Sequence, residues 1–204
     1  TKPYADRYHD QVQAMYATLQ LGWNGMLYLD VTARNEWASQ LAGTPDVNIF
    51  YPSVGLSAVI SSMTDLSAAG ISFLKVRGSY AEVGNAPQRF ITGVNIPLAT
   101  GGVISSSTYA PAVNLTPERT KSFEVGLNAK FLGNKIWLDA TYYNTNTYNQ
   151  LFEYDAPPST GYKKAYINAG KINNWGIEAV VGYKNRWEEF ALSLIHISEP
   201  TRLR

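Results

Sequence analysis

The stretch 117–144, PERTKSFEVGLNAKFLGNKIWLDATYYN, alternates polar and apolar residues on both sides of a Gly133-Asn134 turn. Side chains of a strand point alternately to opposite faces, so the pattern predicts strands with one polar and one apolar face. Candidate strands at 135–144 and 168–184 also exceed the ~5–6 residues of ordinary strands. Such strands are typical of a membrane-barrel wall. Before the turn the polar row is Thr120, Ser122, Glu124, Gly126, Asn128 and Lys130, and the apolar row is Phe123, Val125, Leu127, Ala129 and Phe131.

The composition favours an all-β domain and excludes several other classes. The 204 residues include 14 Tyr, 7 Phe, 5 Trp and 16 Gly, which is typical of strands joined by turns. A net charge of +1 offers no strong electrostatic basis for binding nucleic acid, and we expect no such partner. The absence of cysteine excludes disulfides and thiolate metal sites. No run approaches ~18 apolar residues, so a membrane form would have to be a closed sheet.

Strand candidates follow one another along the chain. The first two flank Asn24-Gly25, which is the strongest short-range signal for a hairpin. We expect an antiparallel meander of about eight long strands, with open edges, that forms part of a large transmembrane β-barrel. The expected strands are residues 12–22, 26–34, 50–60, 73–81, 120–131, 135–144 and 172–183, followed by a final short strand after residue 187.

The connections alternate between short and long. Membrane barrels combine short periplasmic turns with long external loops, so the alternation assigns the two rims. Aromatic pairs on the apolar rows support the same reading: Trp175 and Tyr183 are eight positions apart, as are Phe123 and Phe131. At ~3.3 Å per residue and ~40° tilt, each pair spans roughly 20 Å, close to the ~25 Å apolar band. The long connections are expected at 36–49, 84–117 and 152–165, tight turns at 24–25, 133–134 and 185–186, and a connection of moderate size at 61–70.

Both ends of the chain differ from those of a complete exported protein. The chain opens TKPY, without an initiator Met or a signal pattern, so we expect the native start to lie upstream. SLIHISEPTR, at 193–202, breaks the alternation and resembles the translation of a transposase-type sequencing adapter. We therefore assign residues 1–191 to the native domain and residues 192–204 to a non-native tail. An ordinary polar tail is the alternative, and the nucleotide sequence distinguishes the two.

Short motifs occur along the chain in a particular order and spacing. They are RNEW at 34–37, YPSVGLS at 51–57, KVRGSY at 75–80 with Gly84-Asn85, PERTKSFEVG at 117–126, DATYY at 139–143 and NAGKINNWGIE at 168–178. Together they closely resemble the C-terminal barrel of SusC/RagA-like TonB-dependent transporters. The resemblance covers nearly all of residues 4–191. Each motif alone is weak, but their order and spacing are specific.

The resemblance implies a Gram-negative outer-membrane barrel with a plug domain in its lumen; such plugged transporters have about 22 strands. Members import glycans, oligosaccharides or peptides with energy relayed by TonB, usually beneath a SusD-like lipoprotein lid. This chain would be a segment holding about a third of such a wall, without signal, TonB box or plug. The expected partners are outer-membrane lipid, a SusD-like lipoprotein, the TonB complex through the missing N-terminal region, and a glycan or peptide ligand. No cofactor is expected.

An enzymatic function is not expected. The histidines are His9 and His196, and the second lies in the tail, which leaves no Ser/His/Asp or Cys/His set and no imidazole-rich metal site. The acidic pairs at 153/155 and 188/189 could in principle act in glycoside hydrolysis. Neighbouring loop acids are more often solvated surface residues, so we expect no catalytic residue and no metal site.

Ligand contacts are expected on lumen-facing strand positions and in external loops. Aromatic rings can stack on sugars or peptides, and amide side chains can hydrogen-bond to them. Aromatic girdles and loops use the same residue types, so the set is a hypothesis. Tyr80 would join it only if a bulge turned its side chain inward. The candidates are Trp37, Tyr143, Asn144, Asn146, Tyr148, Tyr154 and Tyr162.

Two other architectures fit a similar strand pattern. A complete small outer-membrane barrel of about eight strands, acting as an adhesin or anchor, would pair its first strand with its last. A soluble β-sandwich that binds carbohydrate would pack its apolar faces against each other. Two open sheet edges would favour a segment of a large barrel over either alternative.

Overall fold

The computed structural model describes residues 9–88, 91, 108–112, 114–187, 190–198 and 201–203. Long β-strands dominate these residues. Helical structure is confined to connections, and no described helix has the length and apolar character needed to cross a bilayer. The helical pieces are α1 (Ile60–Met63) and 3₁₀ turns at Ser39–Leu41, Ser67–Ala69 and Pro158–Thr160. The strands are β1 (Val12–Trp23), β2 (Leu27–Ala38), β3 (Asn48–Val59), β4 (Ile71–Asn85), β5 (Glu118–Phe131), β6 (Ile136–Tyr148), β7 (Leu151–Asp155), β8 (Lys164–Asn168), β9 (Lys171–Trp187), β10 (Phe190–Ser198) and β11 (Thr201–Leu203).

Eight of the strands form a continuous antiparallel meander in the order β1-β2-β3-β4-β5-β6-β9-β10. The short strand β11 pairs with β9, and β7 pairs with β8 in a separate hairpin. Within the described residues, β1 pairs with β2 and β10 pairs with β9, so the sheet does not close on itself. The predicted all-β meander of eight strands with open edges is confirmed.

Left-handed backbone conformations form the tight reversals. Asn24 and Gly25 have φ values of 56° and 68°, and Gly133 and Asn134 have values of 64° and 66°. Glycine adopts this region at no steric cost, and asparagine tolerates it better than most residues. The chain therefore reverses within a few residues at both predicted hairpins.

The register places residues of like polarity side by side across the strands. Val125 of β5 pairs with Tyr142 of β6, which pairs with Ile177 of β9. Because alternate residues point to opposite sides, the sheet has two chemically distinct faces. The apolar face includes Leu19, Leu29, Val54, Val76, Val125, Leu138 and Ile177, and the polar face includes Gln20, Asp30, Ser53, Arg77, Glu124, Asp139 and Glu178.

The described residues bury little apolar surface. The main buried cluster consists of Ala38, Leu41 and Ile49, with Tyr51 and Ala86 packed against it. It lies where β2 passes into β3, at the end of the sheet that carries the long connections. A β-sandwich needs its apolar face covered by a second sheet. No second sheet covers that face among the described residues.

The connection from β6 to β9 contains an element that we did not predict. Residues 152–165, expected to be a loop, hold most of the hairpin in which Leu151–Asp155 pairs with Lys164–Asn168. Strands this short carry too few alternating positions to stand out from a loop. Of the predicted loop 84–117, residues 89–90, 92–107 and 113 lie outside the described residues, as do Glu188 and Glu189.

Candidate functional site

The apolar face presents large side chains to its surroundings. Leu56 is 56% exposed, Ile177 49%, Phe123 47% and Val125 40%. Contiguous apolar surface of this kind marks a protein or membrane contact. Since the strands bond to one another in register, the sheet satisfies its own backbone groups and can present such a face to lipid.

Aromatic residues border the apolar face. The residues used above to estimate its depth, Phe123, Phe131, Trp175 and Tyr183, all lie on this face. The rings of Tyr142 and Trp175 contact each other in a tilted arrangement with centroids 6.5 Å apart. Aromatic rings at the edges of an apolar band are typical of membrane barrels.

A polar network lies on the opposite face, across β4, β5 and β6. The Arg77 guanidinium donates to Asp139 Oδ1 at 2.9 Å and to Thr141 Oγ1 at 2.6 Å. Asn128 Nδ2 donates to Asp139 Oδ2 at 3.1 Å. Arg77 crosses the intervening strand at Gly126, where an added Cβ would lie 2.5 Å from its Nε. The charges are thus paired within the plane of the wall.

The polar face also holds a shallow recess. It combines acidic and basic groups with glycines that leave the backbone uncovered, and it is lined in part by Asp30, Gly55, Ser57, Lys75, Arg77 and Glu124. Nearer the long connections, hydroxyl pairs join β5 and β6: Thr120 with Thr147 at 3.0 Å and Ser122 with Thr145 at 3.2 Å. This face can hydrogen-bond to a polar solute, and no group of His, Cys, Asp and Glu among the described residues could hold a metal ion.

The register separates the predicted ligand-contact residues. Tyr143 lies on the polar face. Tyr80 pairs with Phe123, and the register shift between β4 and β5 is at Ile71/Phe73, so no bulge turns Tyr80 inward. The role of these residues in ligand binding stays a prediction. Among the candidates that lie in the large sheet, only Tyr143 is on the polar face that was expected to line the lumen. On the apolar face lie Trp37, Tyr80, Asn144, Asn146 and Tyr148.

The candidates Tyr154 and Tyr162 belong to the β7–β8 region, and Tyr154 is 47% exposed. Beside them is a feature that we did not predict: the rings of Tyr109 and Tyr166 stack with centroids 5.4 Å apart. Tyr109 is bridged to β8 at Lys164. The short apolar run Ala165, Tyr166 and Ile167, bounded by Lys164 and Asn168, is the signal that could have located β8, but the partner Tyr109 comes from a distant loop.

An ion pair joins the two strands of this hairpin. The Lys164 ammonium donates to the Glu153 carboxylate, and the Tyr166 hydroxyl donates to the same carboxylate at 3.4 Å. The hydrogen bond from Lys164 lowers the pKa of Glu153, and the same bond raises the pKa of Lys164. Burial is the main cause of the raised pKa of Tyr166.

Comparison with known proteins agrees with this architecture. The sequence model of the family described as TonB dependent receptor-like, beta-barrel, matches residues 2–198. TonB-dependent receptor P26 of Formosa agariphila is 25% identical to the chain over 181 residues, which cover 82% of this chain and 18% of P26.

Solved structures with a similar fold include the RagAB peptide importer in its open-open state. Its TM-score is 0.80 at 20% identity, and the alignment covers 95% of this chain and 22% of that chain. The siderophore receptor PirA of Pseudomonas aeruginosa has a TM-score of 0.60 at 15% identity, over 93% of this chain and 34% of that chain. The chain thus spans a minor part of these relatives, and the resemblance found in its motifs is confirmed. Because the family match covers nearly its whole length, the chain belongs to the TonB-dependent receptor-like β-barrel family, a family of outer-membrane receptors and transporters rather than enzymes.

Proposed function

We propose that this chain is a segment of the wall of a TonB-dependent transporter that imports glycans, oligosaccharides or peptides across the outer membrane. The observation that carries the proposal is the division of one continuous sheet into an exposed apolar face and a hydrogen-bonded polar face. In a membrane barrel the apolar face contacts lipid and the polar face borders the lumen.

The connections support an orientation for this segment. The connections β2–β3, β4–β5 and β6–β9 leave from one end of the sheet, and the last two are the longest. At the other end the β1–β2 and β5–β6 turns are short, and the β3–β4 connection, residues 60–70, is of moderate size. Long loops of bacterial outer-membrane barrels are extracellular and short turns are periplasmic. The β7–β8 hairpin and its stacked tyrosines therefore belong to the outer surface, where Tyr154 and Tyr162 stay candidate ligand contacts.

The proposed partners follow from the kind of barrel. RagAB, whose fold is similar, is described as a peptide importer. A SusD-like lipoprotein would cover the outer rim, and the TonB complex would act through a plug and an N-terminal region encoded outside these residues. Import needs all of these parts, so the contribution of this segment is wall, lumen surface and external loops.

A matched pair of substitutions tests the two faces in the complete membrane protein that carries this chain. Ile177 lies on the apolar face and its neighbour Glu178 on the polar face. A lysine facing lipid costs about 2–4 kcal/mol at the bilayer midplane and about 0–1 kcal/mol near the interfaces. Ile177 lies one row inside the Trp175 row, so we expect Ile177→Lys to cost about 1 kcal/mol and to lower the yield of SDS-resistant barrel in the outer membrane roughly fivefold, and Glu178→Lys to leave it near wild type. Equal effects of the two substitutions would refute the lipid-facing assignment.

The imported ligand is tested by uptake. Cells carrying the complete protein should accumulate fluorescent peptides or oligosaccharides, and deletion of either the gene or TonB should abolish accumulation of the same class. A SusD-like lipoprotein should co-purify with the barrel. Neighbouring genes for glycan-cleaving enzymes would favour sugars, and peptidase genes would favour peptides. Uptake that survives loss of TonB would contradict the transport mechanism.

The alternatives lack comparable support. A complete small barrel requires pairing of the first and last strands, and in the described residues β1 pairs with β2 and β10 with β9. A soluble carbohydrate-binding sandwich requires a covered apolar face, whereas Leu56 and Ile177 on that face are about half exposed.

A further inference from the structure

The apolar face becomes polar toward the long connections. Phe123, Asn144 and Trp175 form one cross-strand row, and the next two rows outward contain amides, cations and one tyrosine. We refer to this zone as the polar belt, defined by Arg119, Lys121, Asn144, Asn146, Tyr148, Lys171 and Asn173. It lies on the same side of the sheet as the apolar rows and directly beyond the Tyr142–Trp175 contact.

Three amide side chains bond to one another across β6 and β9 within the polar belt. Asn146 Nδ2 donates to Asn144 Oδ1 at 2.7 Å. Asn173 Nδ2 donates to Asn144 Oδ1 at 2.9 Å and to Asn146 Oδ1 at 2.8 Å. Amides facing hydrocarbon are costly, whereas amides at the depth of lipid headgroups can bond both to each other and to polar lipid groups. The amide cluster thus marks the depth at which the bilayer becomes polar.

The belt carries more positive than negative charge. Lys121 Nζ lies 3.3 Å from Glu82, and its side chain is still 45% exposed. Lys171 Nζ lies 5.1 Å from the centre of the Tyr148 ring, and Arg119 pairs with Tyr148 on the other side. Long basic side chains at the end of an apolar face extend to the headgroup region. Three cations and one carboxylate therefore face the lipid interface.

The structure assigns a ligand chemistry to this zone: we propose that the polar belt binds the anionic, phosphorylated headgroup of a lipid in the outer leaflet. Arg119 and Lys171 supply the positive charge for the phosphate, and the amide cluster supplies hydrogen-bonding groups for adjacent hydroxyls. The inference rests on the proposed function, because it requires the apolar face to lie in lipid.

The test uses the complete membrane protein in phosphatidylcholine nanodiscs titrated with lipid A, a phosphorylated glycolipid, or with the same lipid stripped of its phosphates. The belt variant combines Arg119→Gln with Lys171→Gln. The control combines Lys130→Gln, on the polar face, with Lys163→Gln, in the β7–β8 connection, and removes the same charge. Each basic residue contributes roughly fivefold at a charged lipid surface, so we expect about 30-fold weaker lipid A binding for the belt variant and binding near wild type for the control.

Other outcomes separate this inference from the proposed function. Equal binding of lipid A with and without phosphates, or equal loss in the two double variants, overturns the belt assignment while the barrel stands. Absence of an SDS-resistant barrel in the wild type overturns the proposed function itself. If the belt variant folds poorly, a second double variant, Arg119→Lys with Lys171→Arg, keeps the charge and should keep lipid A binding. Loss of lipid A binding in a well-folded sample of this charge-preserving variant also overturns the inference.

Discussion

Single glycines on the polar face decide which side chains can lie flat against the sheet. Arg77 crosses β5 over Gly126, and the Trp137 ring lies across Gly182 of β9. Both crossings link neighbouring strands on the side away from the apolar rows. A methyl group at either glycine would occupy space that the crossing side chain needs.

A graded alanine series tests this arrangement. An added Cβ would lie 2.1 Å from the Trp137 ring at Gly182 and 2.5 Å from Arg77 at Gly126, but 3.8 Å from Asp30 at Gly55. We expect Gly182→Ala to destabilise by about 1–3 kcal/mol, because a rigid ring must move. Gly126→Ala should cost up to about 1 kcal/mol, since a flexible, partly exposed guanidinium shifts, and Gly55→Ala should be near neutral. Urea midpoints of the SDS-resistant barrel measure the series, and three equal midpoints would contradict it.

The residue scale also exposes a limit of sequence reasoning. Tyr143 and Asn144 were both predicted as ligand contacts, yet adjacent strand residues cannot share a face. The tyrosine ring can stack on a ligand and the asparagine amide can hydrogen-bond to one, so residue type alone made both residues candidates. Strand register, which depends on partners distant in sequence, places Tyr143 beside Glu124 on the polar face and Asn144 beside Phe123 on the other.

Among the elements, the hairpin β7–β8 carries a pH-dependent contact. The pKa of Glu153 lies below its ordinary value of 4.5, chiefly because of the hydrogen bond from Lys164. A lowered folded-state pKa means that the stabilisation is complete above the ordinary value and is lost as the pH falls through the lowered one. We compare amide hydrogen exchange of residues 151–168 between the wild type and Glu153→Gln at each pH. At pH 7 the wild type should be more protected than the variant, and this difference should disappear in acid. A difference independent of pH would contradict the prediction.

The strand β10 differs from the strands before it. Ile195 and Ile197 lie on the polar side and are 61% and 68% exposed, while Leu194, on the other side, is 58% exposed. His196 and Ser198 share the side of Leu194, so beyond Leu194 the polar and apolar sides are exchanged relative to the preceding strands. The family match extends to residue 198, and the non-native tail at residues 192–204 stays a prediction. Sequencing the genomic locus without adapters should give different codons from residue 192 onward that resume the alternation; identical codons would refute the proposed tail.

At the scale of elements, the hairpins and long strands were predictable, whereas β7–β8 was not. Asn24-Gly25 and Gly133-Asn134 predict chain reversals because the backbone preferences of Asn and Gly act locally. The β7–β8 hairpin depends instead on the bridge to Tyr109 from a distant loop. Contacts of that kind leave no periodic signal in the sequence.

At the scale of the whole molecule, the eight-stranded sheet has two edge strands, β1 and β10, that are candidates for further pairing. Every residue of β1 is exposed, and within the described residues β1 is paired on one side only. Unpaired edges associate with other strands. We expect the 204-residue chain alone to form heterogeneous oligomers in detergent, measured by size-exclusion chromatography, and the complete protein to migrate as a heat-modifiable monomer. A monomeric, heat-modifiable band from the lone chain would favour a small complete barrel.

The wall-like arrangement was predictable because alternation, turn signals and motif order all agree along the chain. The ligand was not, since lumen chemistry depends on residues brought together from separate strands and from parts of the barrel beyond this segment. Arg77, Asn128 and Asp139 meet only in the folded sheet.

In the proposed transporter, the crossing of Arg77 over Gly126 has a consequence for passage through the lumen. A guanidinium that runs sideways along the inner surface, bonded to Asp139 and Thr141, takes up little of the bore. Its hydrogen bonds are already made within the lining, so a solute moving past need not break them. In the proposed transporter, cargo that passes Arg77 would therefore meet a charge already bonded within the lining.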